Sequence, residues 1–371
     1  MNKRKKSFKD LATLVLIALA FIVLGQGLFQ DPGSGWKTDF DKAAIDMDEV
    51  ISGGVPRDGI PPIDNPIFVE AALALELSPQ SPVIALEIEG DARAYPLEVL
   101  TRHEIVNDIV NGTPVAVTFC PLCNSAVVFD RRVADKVLRF GVSGNLRYSD
   151  LIMWDDLTET WWQQLTGEAI VGHYRGQVLR MISSQLVSFE VFKGRYSAGK
   201  VLRGPLGGYG RNPYIGYDSS PEPFLFKGPV DDRLFATERV LGAVIGDQAI
   251  SYAFSALKKR PVVNDSVSDR DIVIFWQSGA VSALDAGDID SSKDVGMALM
   301  YDRRLPSDQA LSFRHDAGRF VDEETESVWN IWGEATDGPL AGRRLSQLQA
   351  YPHFWFAWAA FYPETILYSI E

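Results

Sequence analysis

Apolar and polar positions alternate along this chain in short runs, and turn residues punctuate the runs. Val83-Ile84-Ala85-Leu86-Glu87-Ile88-Glu89-Gly90-Asp91-Ala92-Arg93-Ala94-Tyr95 reads as two strands joined at a Gly-Asp turn. Arg239-Val240-Leu241-Gly242-Ala243-Val244-Ile245-Gly246-Asp247-Gln248-Ala249-Ile250-Ser251-Tyr252 reads the same way. Strands are also predicted at Val115–Phe119 and Asp271–Phe275. Helical spacing is confined to short patches at Leu97–Arg102, Ser184–Phe192, Ala253–Lys259 and Phe354–Phe361. The expected class is α+β and strand-dominated.

The two hairpins open two longer stretches that match in order. Pro96–Leu100 aligns with Ala253–Leu257, and Val106-Asn107-Asp108 with Val263-Asn264-Asp265. Asp155–Trp162 then aligns with Asp322–Trp329, each followed by a glycine, Gly167 and Gly333. This predicts two tandem related domains, an internal repeat, over residues 50–200 and 232–365. Phe119 is expected to superpose on Phe275, Asn107 on Asn264 and Trp162 on Trp329. Residues 201–231 form a connection rich in Gly, Pro and Tyr, which cannot hold a long helix. Its aromatic side chains favour an ordered loop packed across the domain interface.

A different pattern opens the chain. Lys3, Arg4, Lys5, Lys6 and Lys9 precede Leu11–Leu24, where no residue is charged and Thr13 is the only polar one. Apolar character persists to Phe29, long enough for a helix of about 28 Å, near the hydrocarbon thickness of a bilayer. Residues 1–30 are expected to be a hydrophobic helix that anchors an extracytoplasmic body to the cell membrane. The alternative is a cleaved signal segment that leaves the body periplasmic or secreted.

Charge narrows the partners. The chain carries a formal −13, and −17 once residues 1–30 are set aside. A body this acidic repels phosphate backbones, so nucleic acid is not an expected partner. Candidate chemistry then falls on the only two cysteines, in Thr118-Phe119-Cys120-Pro121-Leu122-Cys123-Asn124. A structural bridge across two intervening residues would contribute only about 2 kcal/mol. Thiol-disulfide exchange explains the spacing better, with Cys120 attacking and Cys123 resolving. Its partner would be a protein or small-molecule thiol or disulfide. His103, with Arg102 beside it, is the nearest candidate to tune the thiols. Binding of Cu or Zn is a third reading. It lacks a second C-x-x-C, and His103, His173, His315 and His353 are scattered. Asn124 after Cys123 excludes a haem-attachment motif, and no cofactor is expected.

Other constellations are weaker. Gly207-Gly208-Tyr209-Gly210 has no Lys-Ser/Thr for a phosphate loop, and Gly141-Val142-Ser143-Gly144 is no nucleophile elbow. Asp155, Asp156 and Glu159 read as a solvated edge. Trp154, Trp161 and Trp162 read as core packing rather than a stacking platform, because Trp162 has a counterpart in Trp329.

With these residues in hand the chain resembles DUF3179, an uncharacterised bacterial and archaeal family. The resemblance covers about residues 50–365. It rests on Ser52–Pro61, His103-Glu104-Ile105-Val106-Asn107-Asp108, Thr118–Ser125, Ser149-Asp150-Leu151, Trp162–Gly167 and Phe354–Trp358. Some members are described as selenoproteins, and selenium in place of a sulfur of the pair would add weight to a redox role. The resemblance implies no further activity. The resulting expectation is an exported envelope protein with redox-active Cys120 and Cys123. The alternatives are a binding module with a structural disulfide, or a Cu/Zn-binding protein.

Overall fold

The structure is a computed structural model and describes residues 31–205, 208–305 and 309–369. It is strand-dominated, 41% strand and 11% helix in several sheets. The expected hydrophobic helix at residues 1–30 lies outside the described residues. No described helix is long and apolar enough to cross a membrane.

In the first half, after two short strands, Val50–Ser52 and Phe68–Glu70, comes the predicted hairpin, β1 (Pro82–Ile88) and β2 (Asp91–Pro96), followed by α1 (Leu97–His103). Next come β3 (Ile105–Val110), β4 (Thr113–Cys120) and β5 (Ser125–Asp130). After them run β6 (Phe140–Arg147), β7 (Asp150–Asp155), β8 (Trp161–Gln163) and β9 (Ala169–Val171). β10 (Met181–Ile182), β11 (Gln185–Ser188), α2 (Phe189–Arg195) and β12 (Lys200–Leu202) complete it. The strands make three sheets. Val50–Ser52 extends the sheet β6-β7-β8-β9 at its β6 edge, and the second sheet runs β10-β5-β4-β3. The third runs β11-β1-β2-β12, with β12 parallel to β2 and Phe68–Glu70 outside it. The expected helix Ser184–Phe192 is a strand followed by a helix. Gln185–Ser188 pair with β1, and the Ser188 side chain accepts from Val191 N–H, so the helix starts only at Phe189.

The second half runs β13 (Arg239–Ile245), β14 (Gln248–Ala253), α3 (Phe254–Lys259), β15 (Val262–Val267) and β16 (Arg270–Gln277). It continues through β17 (Met297–Asp302), β18 (Phe313–Asp316), β19 (Arg319–Asp322), β20 (Val328–Trp329) and β21 (Ala335–Asp337). It ends with β22 (Ser346–Gln347), β23 (Ala350–Phe354), α4 (Trp355–Phe361) and β24 (Ile366–Leu367). Its sheets run β23-β13-β14-β24, β15-β16-β17-β22 and β18-β19-β20-β21, with β24 parallel to β14.

Side-chain struts fix the strand pairs. Asn107 donates to Phe140 O at 2.8 Å and accepts from Phe140 N–H at 2.9 Å. Asn264 holds Phe313 through the same two bonds, at 2.7 and 2.9 Å. Asp155 accepts from Trp162 Nε1 at 3.0 Å, and Asp322 from Trp329 Nε1 at 2.8 Å. Asp155 is therefore fully buried rather than part of a solvated edge. Its turn, Asp155 to Thr160, needs a carboxylate inside to satisfy Thr158 N–H and the indole. Trp161 and Trp162 are core residues.

The cores cross between the halves. Phe119, Cys120, Cys123 and Val128 pack in one cluster with Trp355, Phe356 and Trp358 from α4. A second cluster joins Ala85, Ala94 and Phe192 to Phe275, Phe313 and Phe320. The Gly/Pro/Tyr-rich connection is tied to both. Tyr209 O accepts from Arg102, and Phe224 O from Ser149 Oγ. Asn212 donates to Ala283 O, and buried Asp218 pairs with Arg239 and Lys293.

Candidate functional site

The cysteine turn is built where β4 hands over to β5. Cys120 pairs with Ser125 across the hairpin, and Pro121 to Asn124 close it. Asn124 takes the left-handed conformation at φ +48°, which asparagine tolerates better than most residues. The backbone N–H of Cys123 points at the Cys120 sulfur. Cys123 O accepts from Phe354 N–H at 2.8 Å, which locks the turn to the start of α4. Both thiols are free and buried, 3.8 Å apart and not bonded to each other.

Two acids converge on them. Asp150 follows the two-residue turn Tyr148-Ser149, left-handed at both positions, and starts β7. Its Oδ2 accepts from Gln163 Nε2 at 2.6 Å and Leu165 N–H at 3.0 Å, while Oδ1 has no partner. The ligand atoms of Cys120, Cys123 and Asp150 lie within 4.8 Å of one another. Burial pushes the Asp150 carboxyl up to about 6, against hydrogen bonds from Gln163 and Leu165. Glu104 caps α1 at φ +56°, outside the usual helical and extended regions. That twist turns its carboxyl inward, where burial first and Asp150 second push it up to about 8. Glu104 has no side-chain hydrogen bond among the described residues.

The thiols share this acidic, dry setting. Burial raises Cys120, and the Asp150 and Glu104 charges add to it, while hydrogen bonds from Cys123 pull the other way. Cys123 is raised further, by burial and then by its neighbour Cys120. Among the described residues, no lysine, arginine or histidine side chain hydrogen-bonds to either thiol. The polar ring is incompletely paired as well. Asn124 Nδ2, Ser125 Oγ, Gln163 Oε1 and Gln164 Oε1 are buried without a protein partner, although buried polar atoms are normally paired.

His103 does not join the pair. Its Nδ1 meets Pro61 O at 2.7 Å and its Nε2 meets Tyr209 OH at 2.9 Å, so both nitrogens serve the loops. Arg102 likewise donates to Tyr209 O and Arg211 O. α1 ends at His103, and the reversal at Glu104 sends the next side chain to the thiols instead. His173 and His315 are exposed, and His353 is buried against Trp358. Asp150 and Glu104 are the site residues that sequence reasoning did not single out. Both adjoin turns, which is the signal that could have marked them.

Beside the cluster opens a cavity of about 570 Å³. Glu104, Leu122 and Leu151 form its inner wall, and Tyr214, Tyr217 and Phe224 of the connection form its outer wall. Gly144 keeps one side closed. At φ +83°, a Cβ there would lie 2.1 Å from Val55 O.

A family model described as "Protein of unknown function (DUF3179)" matches residues 57–365, and the chain belongs to that family. No curated protein and no solved structure matches the chain.

Proposed function

We propose that this protein binds one thiophilic divalent cation, Zn²⁺ in the first instance, through Cys120, Cys123 and Asp150. The observation that carries this reading is the 3.8 Å between unbonded thiols. Two sulfurs at about 2.3 Å from a tetrahedral zinc stand roughly 3.8 Å apart. Asp150 Oδ1, buried and unpartnered, supplies a third donor. A carboxylate oxygen beside two thiolates suits Zn²⁺ better than Cu(I), which favours soft donors throughout. Charge argues the same way. Two thiolates and a carboxylate next to Glu104, with no basic side chain hydrogen-bonded to the thiols among the described residues, demand either protons or a cation. Three protein ligands leave a fourth position open, as in catalytic zinc sites.

A comparison within the chain supports a chemical rather than a packing role. We read the two halves as a tandem duplication, on the strength of their common sheet orders and common Asn-Phe and Asp-Trp struts. The struts recur, but the site does not. Phe119 N–H donates to Glu104 O and Trp276 N–H to Pro261 O, so Pro261 stands for Glu104. Gln277 ends β16 where Cys120 ends β4. Ile331, two residues past the strut Trp329, stands for Gln164. β18 and β19 are four residues each, against eight and six for β6 and β7, and stop short of a counterpart to Asp150.

Cobalt substitution tests the metal reading. The full-length chain loaded with Co²⁺ should show thiolate-to-cobalt charge transfer and intense tetrahedral d–d bands. Both should vanish in Cys120→Ser and Cys123→Ser. A spectrum of hexa-aqua cobalt in the wild type would overturn it.

The second reading is thiol-disulfide exchange, favoured by the closeness of the thiols and by the N–H that Cys123 aims at Cys120. On that reading Cys120 attacks and Cys123 resolves, so Cys123→Ser traps a mixed disulfide and Cys120→Ser does not. Absence of trapping in both sinks it. We also keep the proposal that residues 1–30 tether an extracytoplasmic body. A topology reporter at the C-terminus that reads cytoplasmic would end that proposal.

A further inference from the structure

We infer that the cavity beside the cysteine turn is a binding site for an uncharged, mainly apolar small molecule that presents a hydroxyl to Glu104. The inference does not depend on what the thiols hold. A volume of about 570 Å³ is typical of small-molecule pockets, which run to roughly 300–1,000 Å³. Most of the wall is aliphatic or aromatic, contributed by Ile60, Val142, Leu146 and Leu151 from the first half and by Tyr214 and Tyr217 from the connection. Such a surface holds an apolar body by burial.

Charge sets the class. Among the described residues, no lysine, arginine or histidine lines the cavity, and its only carboxylic acid is Glu104. An anionic ligand would be buried without a counter-charge and beside an acid. The polar end of the cavity also asks for a donor. Glu104 lines the cavity and has no side-chain hydrogen bond among the described residues. A ligand hydroxyl can donate to or accept from the Glu104 carboxyl. The outer wall supplies access. Ile215, 43% exposed, lines the cavity from the connection.

Four naphthalene probes separate these terms: 2-naphthol, naphthalene, 2-naphthoate and 2-naphthylmethylamine. Each is titrated into the full-length chain at neutral pH, and saturable binding is read from probe fluorescence. 2-Naphthol should bind, and 2-naphthoate should bind at least about a hundredfold more weakly. Glu104→Met should weaken 2-naphthol roughly fivefold, the value of one hydrogen bond, and leave naphthalene unchanged. Retained naphthalene binding shows that this variant is folded. Ile215→Trp, at an exposed position, should abolish saturable binding of both. Equal affinity for naphthoate and naphthol would overturn the class. Preferred binding of the amine would replace the hydroxyl by a cation paired with Glu104. Binding indifferent to Ile215→Trp would remove the cavity as the site. All arms are repeated in Cys120→Ser/Cys123→Ser, where the same order is expected.

Discussion

Glu104 places an ionisable group where its charge has no partner, and that has a consequence for stability. Its carboxyl rises from 4.5 to about 8 on folding, and that of Asp150 from 3.8 to about 6. A carboxyl whose folded pKa is raised binds its proton more tightly in the native state. Its contribution is fully present below the unfolded value and is lost as pH climbs through the folded one. In the metal-free chain these two groups therefore remove stability between about pH 4 and 8, with Glu104 alone acting in the upper half. A tenfold change in proton affinity is worth about 1.4 kcal/mol, so the loss is on the order of 5 kcal/mol from Glu104 and 3 kcal/mol from Asp150. Glu104→Gln should flatten the slope above pH 6 and make the metal-free chain more stable than wild type at pH 8. Urea unfolding at pH 5, 6.5 and 8 measures this. A wild-type slope retained in the variant would show that Glu104 is ionised without cost.

Strand pairs in both halves hang on one asparagine each. Asn107 holds both backbone groups of Phe140 and also donates to Asp64, and it is 4% exposed. Asn264 holds both backbone groups of Phe313 but is exposed. Removing Asn107 leaves a buried N–H and C=O unpaired, so Asn107→Ala should cost about 3 kcal/mol and Asn264→Ala about 1 kcal/mol. Equal costs, read from the same urea curves, would mean that burial does not set the value of the strut. At this scale much of the molecule was legible in sequence. The hairpins at Gly90-Asp91 and Gly246-Asp247 are local, and so are the helices at Leu97 and Phe254, so alternation and turn chemistry suffice to find them. Gln185–Ser188 was not legible as a strand because its partner, β1, lies a hundred residues earlier. On the proposed reading of the halves as a duplication, backbone bonding matches Phe119 to Trp276 rather than to Phe275, and in a strand such a one-residue difference exchanges the two faces. The site was half legible. Two lone cysteines announce themselves, but which neighbour faces them depends on the backbone at Glu104 and Ser149, where positive φ values reverse the side-chain direction. That reversal is why proximity in sequence points to His103 while the backbone presents Glu104.

The whole molecule is held together by cores and by a connection that belong to neither half alone. α4 shares one core cluster with Cys120 and Cys123, and Phe354 N–H binds the Cys123 carbonyl. Asp218, on the connection, holds the buried Arg239 and Ser282 and the exposed Lys293. Asp218→Ala strands the Arg239 guanidinium in the interior and should cost about 3–5 kcal/mol. Because the segment also walls the cavity, this variant should release Tyr214 and Tyr217 and speed thiol labelling by a neutral reagent. Unchanged labelling would detach the connection from access to the site. Whether the cysteine turn holds a metal is read most directly from an equilibrium zinc titration of the reduced, metal-free, full-length chain against a chromophoric chelator. One zinc per chain should bind with release of thiol protons. Binding should be lost in Cys120→Ser and Cys123→Ser, and affinity should fall by at least about tenfold in Asp150→Asn. No binding, or binding that persists when both cysteines are serine, would contradict a metal at this turn.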